Sequence, residues 1–158
     1  MSVTFEVRVP VAAPAELVWA AITDWPAQGE WMPGTVVVVA DGDGRTVGTR
    51  LFAFTGLADV GFLDVLEIVD WQPPHRCRMR HLGRLLHGYG EFTVEAGGDG
   101  GSTFVWTEVL RPPLGPLGHL ALLLLRAPSE ALMRRGGRAL AAMCVRRAAD
   151  SGQSQTRR

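Results

Sequence analysis

The residues best suited to acid–base chemistry are His81 and Glu108, each on a stretch whose alternating polarity predicts a strand. In RCRMRHL, His81 falls on the same face as Met79, and the arginines fall on the other. In STFVWTEVL, Glu108 falls on the face of the bulky Phe104 and Trp106. We therefore expect both ionisable groups on the inner, apolar face of a sheet.

Two roles are open for this pair. Burial raises the pKa of a carboxylate and neighbours tune an imidazole, so His81 and Glu108 are candidate acid and base. In the alternative, Glu108 is a structural residue satisfied by Tyr89, Arg111 or a backbone amide. The pattern alone leaves both interpretations standing.

The other potential metal ligands are poorly placed. His75, His81 and His87 recur at six-residue intervals, but the first lies in a predicted turn and the last follows one. Cys77 and Cys144 are far apart and lack C-x-x-C spacing. We therefore expect no metal site, no cofactor and two reduced thiols.

The arginines Arg76, Arg78 and Arg80 are predicted to point outward. Glu91 and Glu95 on the next predicted strand are close enough in register to pair with them. Such exposed ion pairs contribute little to stability. This interpretation makes the arginines a solvated surface rather than an anion site.

Charge and composition remove several classes of function. The 16 basic and 16 acidic residues cancel, which argues against a nucleic-acid partner. Every basic residue is arginine, which excludes the lysine of a Walker A loop and a Schiff-base lysine. The N-terminal stretch MSVTFEVRVP lacks the features of a secretory signal, so we expect a cytoplasmic protein.

The elements that must position these residues form an α+β pattern. Alternation predicts a first strand at Val3–Val9, then a short helix after Pro14 and a second over Ala27–Trp31. Six strands follow; their predicted stretches are TVVVVA, TVGTRLFAFT, Ala58–Trp71, RCRMRHL, GYGEFTVEA and STFVWTEVL. A curved seven-stranded antiparallel sheet wrapped around a long C-terminal helix accommodates this order.

The long C-terminal helix is predicted from Leu117 to about Ala149, with a kink or break at Pro128. We assign residues 1–149 to one domain and 150–158 to a disordered tail. Apolar residues 120–125 are too few to cross a bilayer. They are interpreted either as core or as a lid over a pocket mouth, weakened at Gly136-Gly137, that could touch a membrane.

Three stretches resemble one family in order and spacing: PAELVWAAITDWPAQGEWMPG, VLEIVDWQPPHRCRMR and GGSTFVWTEVLRPPLGPLGHL. The chain resembles the START/Bet v-like helix-grip (SRPBCC) superfamily, in particular bacterial proteins described as polyketide cyclase/dehydrase and lipid transport. The resemblance covers nearly the whole chain. It implies the helix-grip fold, with two short helices between the first two strands.

The resemblance also implies a cavity between the sheet and the C-terminal helix that takes lipids, polyketides, quinones or similar apolar molecules. Trp25, Trp31 and Met32 lie in the loop that commonly borders the entrance in this fold. We expect these residues to bind the ligand: Phe52, Phe54, Phe62, Met79, His81, Phe92, Phe104, Trp106, Glu108, Leu120, Leu124 and Leu132.

Three functions follow from these expectations. The first is binding or transport of a small hydrophobic ligand, with His81 and Glu108 orienting its polar group. The second is a cyclase or dehydratase that uses the same pair as acid and base. The third is a lipid or quinone shuttle that docks transiently on a membrane. The sequence is compatible with a monomer or a homodimer.

Overall fold

The chain forms one seven-stranded antiparallel sheet and a long C-terminal helix in the residues described by the computed structural model, 2–57, 60–83 and 87–156. The elements in chain order are β1 Val3–Val11, α1 Ala15–Ile22, the 3₁₀ helix Trp25–Glu30, β2 Thr35–Asp41, β3 Arg50–Leu57, β4 Val60–Gln72, β5 Arg76–His81, β6 His87–Ala96, β7 Ser102–Arg111 and α2 Gly115–Thr156. The predicted helix-grip architecture is confirmed. The predicted start of β4, at Ala58, lies outside the described residues.

The sheet places the first strand beside the last. Its strand order is β1-β7-β6-β5-β4-β3-β2, so β1 and β2 form the two edges. Every second residue of β1, from Val3 to Val11, is buried, as its alternating sequence predicts. The register pairs Phe5 with Glu108 on β7, so Glu108 lies on the second strand of the sheet, one strand in from the β1 edge.

The outward arginines of β5 are paired across the sheet. Arg78 Nε donates to Glu91 Oε2 at 2.7 Å, the pairing expected from the sequence. Arg76 and Arg80 bond instead to Asp70 and Glu67 of β4. The prediction that Glu95 joins this group is wrong, because its partner is an arginine of β1.

Helix α2 is continuous through Pro128 and is not split there. Proline removes one N–H and crowds the carbonyl four residues earlier, which here belongs to Leu124. The Leu124 side chain is exposed, so water can reach this part of the helix. The helix runs past Ala149 to Thr156, although we expected a disordered tail from residue 150; the boundary at residue 149 stays a prediction, and residues 157–158 lie outside the described part.

The second half of α2 packs on the sheet through small residues. A side chain on Gly137 would place its Cβ 2.6 Å from Val9 Cγ2, and one on Gly136 would lie 3.1 Å from the Trp31 carbonyl oxygen. Both glycines are buried. They are therefore sites of close approach, not the weak points of a lid that the sequence suggested.

The first half of α2 is mostly exposed. Leu120 and Leu124 are 54% and 73% exposed, and Leu132 further along is 60% exposed. Within the run 120–125, Leu122 is the leucine packed against the core. Interpreting this run as core is thus wrong for most of its leucines.

Candidate functional site

An apolar cavity of about 290 Å³ lies between the inner face of strands β2–β7 and the 3₁₀ helix. Its lining residues are Trp25, Gln28, Met32, Thr35, Val37, Leu51, Ala53, Thr55, Phe62, Asp64, Leu66, Met79, His81, Gly90, Phe92, Glu108 and Leu110. No described residue of α2 is among them. This cavity therefore lies away from the C-terminal helix, whereas a smaller space of about 200 Å³ reaches that helix at Leu132 and Gly136; the expected ligand cavity against the helix stays a prediction.

Trp31 explains this displacement. Its side chain is fully buried and packs edge-on against Phe92, Phe104 and Trp106, with ring centroids 5.8–6.0 Å apart. On the other side it meets the helix at Gly136. The tryptophan thus fills part of the space between α2 and the sheet, and the larger apolar cavity lies beside the 3₁₀ helix.

One end of the cavity carries a chain of hydrogen-bonded ionisable groups. His81 Nδ1 lies 2.6 Å from Asp64 Oδ2, and His81 Nε2 lies 3.1 Å from Glu108 Oε2. Trp106 Nε1 donates to the other Glu108 oxygen at 2.8 Å. The pair expected from the sequence is therefore brought together, with Asp64 as a third member.

This arrangement fixes the charge of the imidazole. Burial of the ring disfavours its charged form, but hydrogen bonds and charges of Asp64 and Glu108 outweigh burial and raise the pKa of His81 from 6.5 to about 9. At neutral pH His81 is an imidazolium that donates one hydrogen bond from each ring nitrogen. Its positive charge is thereby shared between two carboxylates.

Glu108 is the member of this chain most open to the cavity. Its side chain is 21% exposed, against 10% for Asp64 and 6% for His81. Both carboxylate oxygens lie 2.9 Å from where a Cβ on Gly90 would stand. The glycine on β6 therefore leaves the room that the Glu108 carboxylate occupies.

The partners of Glu108 differ from the structural alternative weighed in the sequence. Tyr89 lies under Arg78, whose guanidinium carbon is 4.7 Å from the ring centroid, on the outer face of the sheet. Neither Tyr89 nor Arg111 bonds to Glu108 among the described contacts. Its partners are an imidazole and an indole.

The other polar groups of the lining are tied to the protein. Gln28 Nε2 donates to the Ile22 carbonyl at 2.9 Å, and Trp25 Nε1 donates to the Gly44 carbonyl at 2.7 Å. The hydroxyl oxygens of Thr35 and Thr55 are 3.0 Å apart. The bonds of Gln28 and Trp25 anchor the 3₁₀ helix beside the cavity, and the threonine pair joins β2 to β3.

The predicted ligand residues fall into three groups. Those that line the cavity are Phe62, Met79, His81, Phe92 and Glu108. Two lie in the aromatic core around Trp31, namely Phe104 and Trp106; Trp106, together with Leu132, also lines a second space of about 200 Å³. Those that the structure places away from the main cavity on exposed or outer surfaces are Phe52, Phe54, Leu120, Leu124 and Leu132.

The placement of Phe52 and Phe54 is a correction of register. Leu51, Ala53 and Thr55 of β3 line the cavity, so the phenylalanines between them point to the outer face, where Phe52 is 41% exposed. Successive side chains alternate between faces, and a shift of one residue exchanges the two sets. Both phases of RLFAFT contain apolar residues, so the pattern could not separate them.

Asp64 and Gln28 are site residues that the sequence analysis missed. Asp64 is the one acid among the inward residues Phe62, Leu66 and Ile68 of β4, and that interruption of an apolar face was the available signal. Its second oxygen, Oδ1, is buried without a hydrogen-bond partner among the described residues. No group of His, Cys, Asp and Glu in the described part of the chain is arranged to hold a metal ion.

Comparison with known proteins identifies relatives of this fold. The profile of a family described as "Polyketide cyclase / dehydrase and lipid transport" matches residues 2–144. Comparison with curated proteins gives no match.

Several solved structures superpose closely on the chain. The Zhui aromatase/cyclase from Streptomyces sp. R1128 has a TM-score of 0.77 at 20% identity, covering 94% of this chain and 96% of that one. The di-domain ARO/CYC StfQ of the steffimycin biosynthetic pathway has a TM-score of 0.74 at 16% identity, covering 94% of this chain and 52% of that one. A START superfamily protein from Mycobacterium smegmatis has a TM-score of 0.73 at 14% identity, covering 90% and 97%. At these identities the likeness establishes the fold.

Proposed function

Because the chain belongs to the polyketide cyclase/dehydrase and lipid transport family, we propose that it binds a small apolar molecule in the cavity beneath the 3₁₀ helix. The observation that carries this proposal is an apolar lining that ends in the three hydrogen-bonded side chains Asp64, His81 and Glu108. Apolar walls supply affinity, and a few polar groups orient the ligand.

The size of the cavity limits the ligand. A cavity of about 150 Å³ accepts benzene, so a volume of about 290 Å³ suits a molecule of roughly two fused rings or an aliphatic chain of similar bulk. This volume lies near the lower end of known ligand sites, about 300 Å³. A larger ligand would have to displace Met32, which lines both this cavity and the second space.

Native mass spectrometry of the purified protein, followed by organic extraction, tests the binding proposal. A bound apolar molecule at one per chain is the expected result. Ala53→Phe places a ring inside the cavity and should abolish its retention, whereas Val38→Phe adds the same ring to the outer face of the neighbouring strand and should not. Equal retention by both variants would contradict the assignment to this cavity.

A cyclase or dehydratase is the second candidate, favoured by the exposure of Glu108 to the cavity. His81 is a poor base here because its pKa is raised to about 9 and both its nitrogens donate hydrogen bonds. Glu108 would take a proton from the carbon beside a ketone, and that carbon would attack a second carbonyl of the same molecule. The proton would then return to the new alkoxide to give an alcohol. Glu108 would next remove a second proton from the same carbon and deliver it to the hydroxyl, which leaves as water as the C=C bond forms.

The enzymatic proposal is tested with a short linear triketone, whose aldol closure and loss of one water give a diphenol detectable by absorbance. Glu108→Gln should lower turnover by about 100-fold or more. The control Asp70→Asn changes a carboxylate on the outer face, where Asp70 bonds Arg76, and should leave the rate unchanged. Absence of wild-type turnover above the buffer rate would argue for binding alone.

A membrane-docking shuttle is favoured by the exposed leucines on the first half of α2. Leu117, Leu120 and Leu124 each expose more than half of their surface, which is unusual for a continuous apolar stretch. No helix among the described residues has the length and apolarity needed to span a bilayer. Because these leucines are exposed, the protein should bind phosphatidylcholine vesicles and float with them. The double change Leu120→Ser and Leu124→Ser should abolish this binding.

A further inference from the structure

The N–H donors of the cavity lining are largely used within the protein. Both nitrogens of His81 bond to carboxylates, and Trp25 donates to a backbone carbonyl. Gln28 directs one amide hydrogen to Ile22, and one hydroxyl hydrogen lies between Thr35 and Thr55. What remains for a ligand on the donor side is neutral: the second amide hydrogen of Gln28 and one threonine hydroxyl.

The acceptor side, in contrast, is open. A carboxylate offers about four lone-pair directions, and the described contacts of Glu108 use one for His81 and one for Trp106. Its exposure of 21% is the largest of the ionisable groups in the chain Asp64–His81–Glu108. A molecule in the cavity therefore reaches a charged acceptor before it reaches any charged donor.

The charged groups of the lining also favour a hydrogen-bond donor over an anion as the ligand. Asp64, His81 and Glu108 are the ionisable side chains among the described lining residues. The 16 arginines of the protein could pair with an anion, but none of them is among these lining residues. The one cation is already shared by two carboxylates. A carboxylate or phosphate placed here would lose its water and gain no charged donor in exchange.

From this geometry we infer that the cavity selects apolar molecules that donate an O–H or N–H hydrogen bond to Glu108 and that it rejects anionic ligands. The inference rests on the proposed binding function and adds the chemical class of the ligand and the atom that recognises it. Free fatty acids and phosphorylated head groups are excluded from the polar end. Neutral alcohols, phenols, enols and amines are the classes that fit.

Three two-ring probes of similar size test the inference on the wild-type protein by calorimetry at pH 7. The probe 2-naphthol is a neutral donor, 2-methoxynaphthalene has the same rings without a donor, and 2-naphthoate is an anion. We expect 2-naphthol to bind at least about tenfold more tightly than either of the others. The preference should follow from one charge-assisted hydrogen bond.

Glu108→Gln assigns the preference to one side chain. The carboxamide removes the charge and adds a donor, so the ratio of 2-naphthol to 2-naphthoate affinity should fall by at least about tenfold. Asp70→Asn, on the outer face of β4, should leave this ratio within about twofold. A native-like spectrum of Glu108→Gln with an unchanged ratio would overturn the role of Glu108.

The outcomes separate the inference from the function on which it rests. If 2-naphthoate binds as tightly as 2-naphthol, the cavity binds ligands but the inferred selection is wrong. If none of the three probes binds, including the methoxy compound that needs only apolar walls, the proposed cavity function fails as well. The wild-type comparison decides both points even if Glu108→Gln does not fold.

Discussion

The protonated His81 between two carboxylates makes stability depend on pH in a direction that can be measured. Its pKa is 6.5 in an unfolded chain and about 9 in the folded protein, because the hydrogen bonds of Asp64 and Glu108 outweigh burial. A raised folded-state pKa gives stability that is fully present below pH 6.5 and is lost as the pH rises through 9. The shift corresponds to at most about 3 kcal/mol.

Urea unfolding between pH 6 and 8.5 measures this effect. Over that range the wild-type free energy of unfolding should fall by about 2 kcal/mol more than that of His81→Gln. The upper limit of pH keeps the measurement clear of Cys77 and Cys144. Burial raises the pKa of these thiols to about 12 and about 11 in the folded protein, whereas in the unfolded chain they ionise near pH 9. Their contribution to the free energy of unfolding therefore changes mainly above pH 9. Both proteins keep both cysteines, so their difference isolates the imidazole.

Nuclear magnetic resonance titration of the His81 ring provides a check that needs no variant. A midpoint near 9 would agree with the bonded geometry. A midpoint near 6.5, or a wild-type stability curve parallel to that of His81→Gln from pH 6 to 8.5, would refute the claim that both carboxylates hold the proton.

Two glycine substitutions test the close contacts. Gly137→Ala brings a Cβ within 2.6 Å of Val9 Cγ2 and should lower the free energy of unfolding in urea by about 1–3 kcal/mol. The control Gly152→Ala adds a Cβ with nothing within 4 Å and should not destabilise the protein. Equal stability of the two variants would contradict the contact. Gly90→Ala should displace the flexible Glu108 carboxylate, which lies 2.9 Å from the new Cβ. It should therefore lower the pKa of the bonded imidazole while the melting temperature changes little; an unchanged imidazole titration would argue against the contact.

The inward positions of the site were accessible from sequence where one face of a strand is clearly apolar. On β5 the alternation of arginine with Cys77, Met79 and His81 leaves one choice of face, and the burial of these residues confirms it. On β7 the bulky residues predicted the correct face for Glu108. Its partner Asp64 was missed because an isolated acid in an apolar strand gives no indication of which distant side chain it meets.

The failures have a common cause in segments that are apolar on more than one face. On β3, Leu51 and Phe52 both satisfy a buried position, so alternation cannot choose between the two registers. On α2 the leucines surround the helix, and periodicity does not state which of them meets the sheet. The helix meets the rest of the fold at Gly136 and Gly137, which lie close to Trp31 and Val9. The sequence does not show which distant residues approach a glycine, so this contact could not be predicted.

Trp31 links these two failures. A resemblance to a fold that grips its helix around a cavity predicts space beneath α2, but a loop tryptophan with 0% exposure fills part of that space. Its ring packs against aromatic side chains of two strands, Phe92 on β6 and Trp106 on β7, and Gly136 on α2 leaves room for it on the other side. A residue outside the sheet and the helix therefore decides how much of the space beneath α2 is filled. The polar end of the cavity lies on β4, β5 and β7, and Trp31 is not among its lining residues.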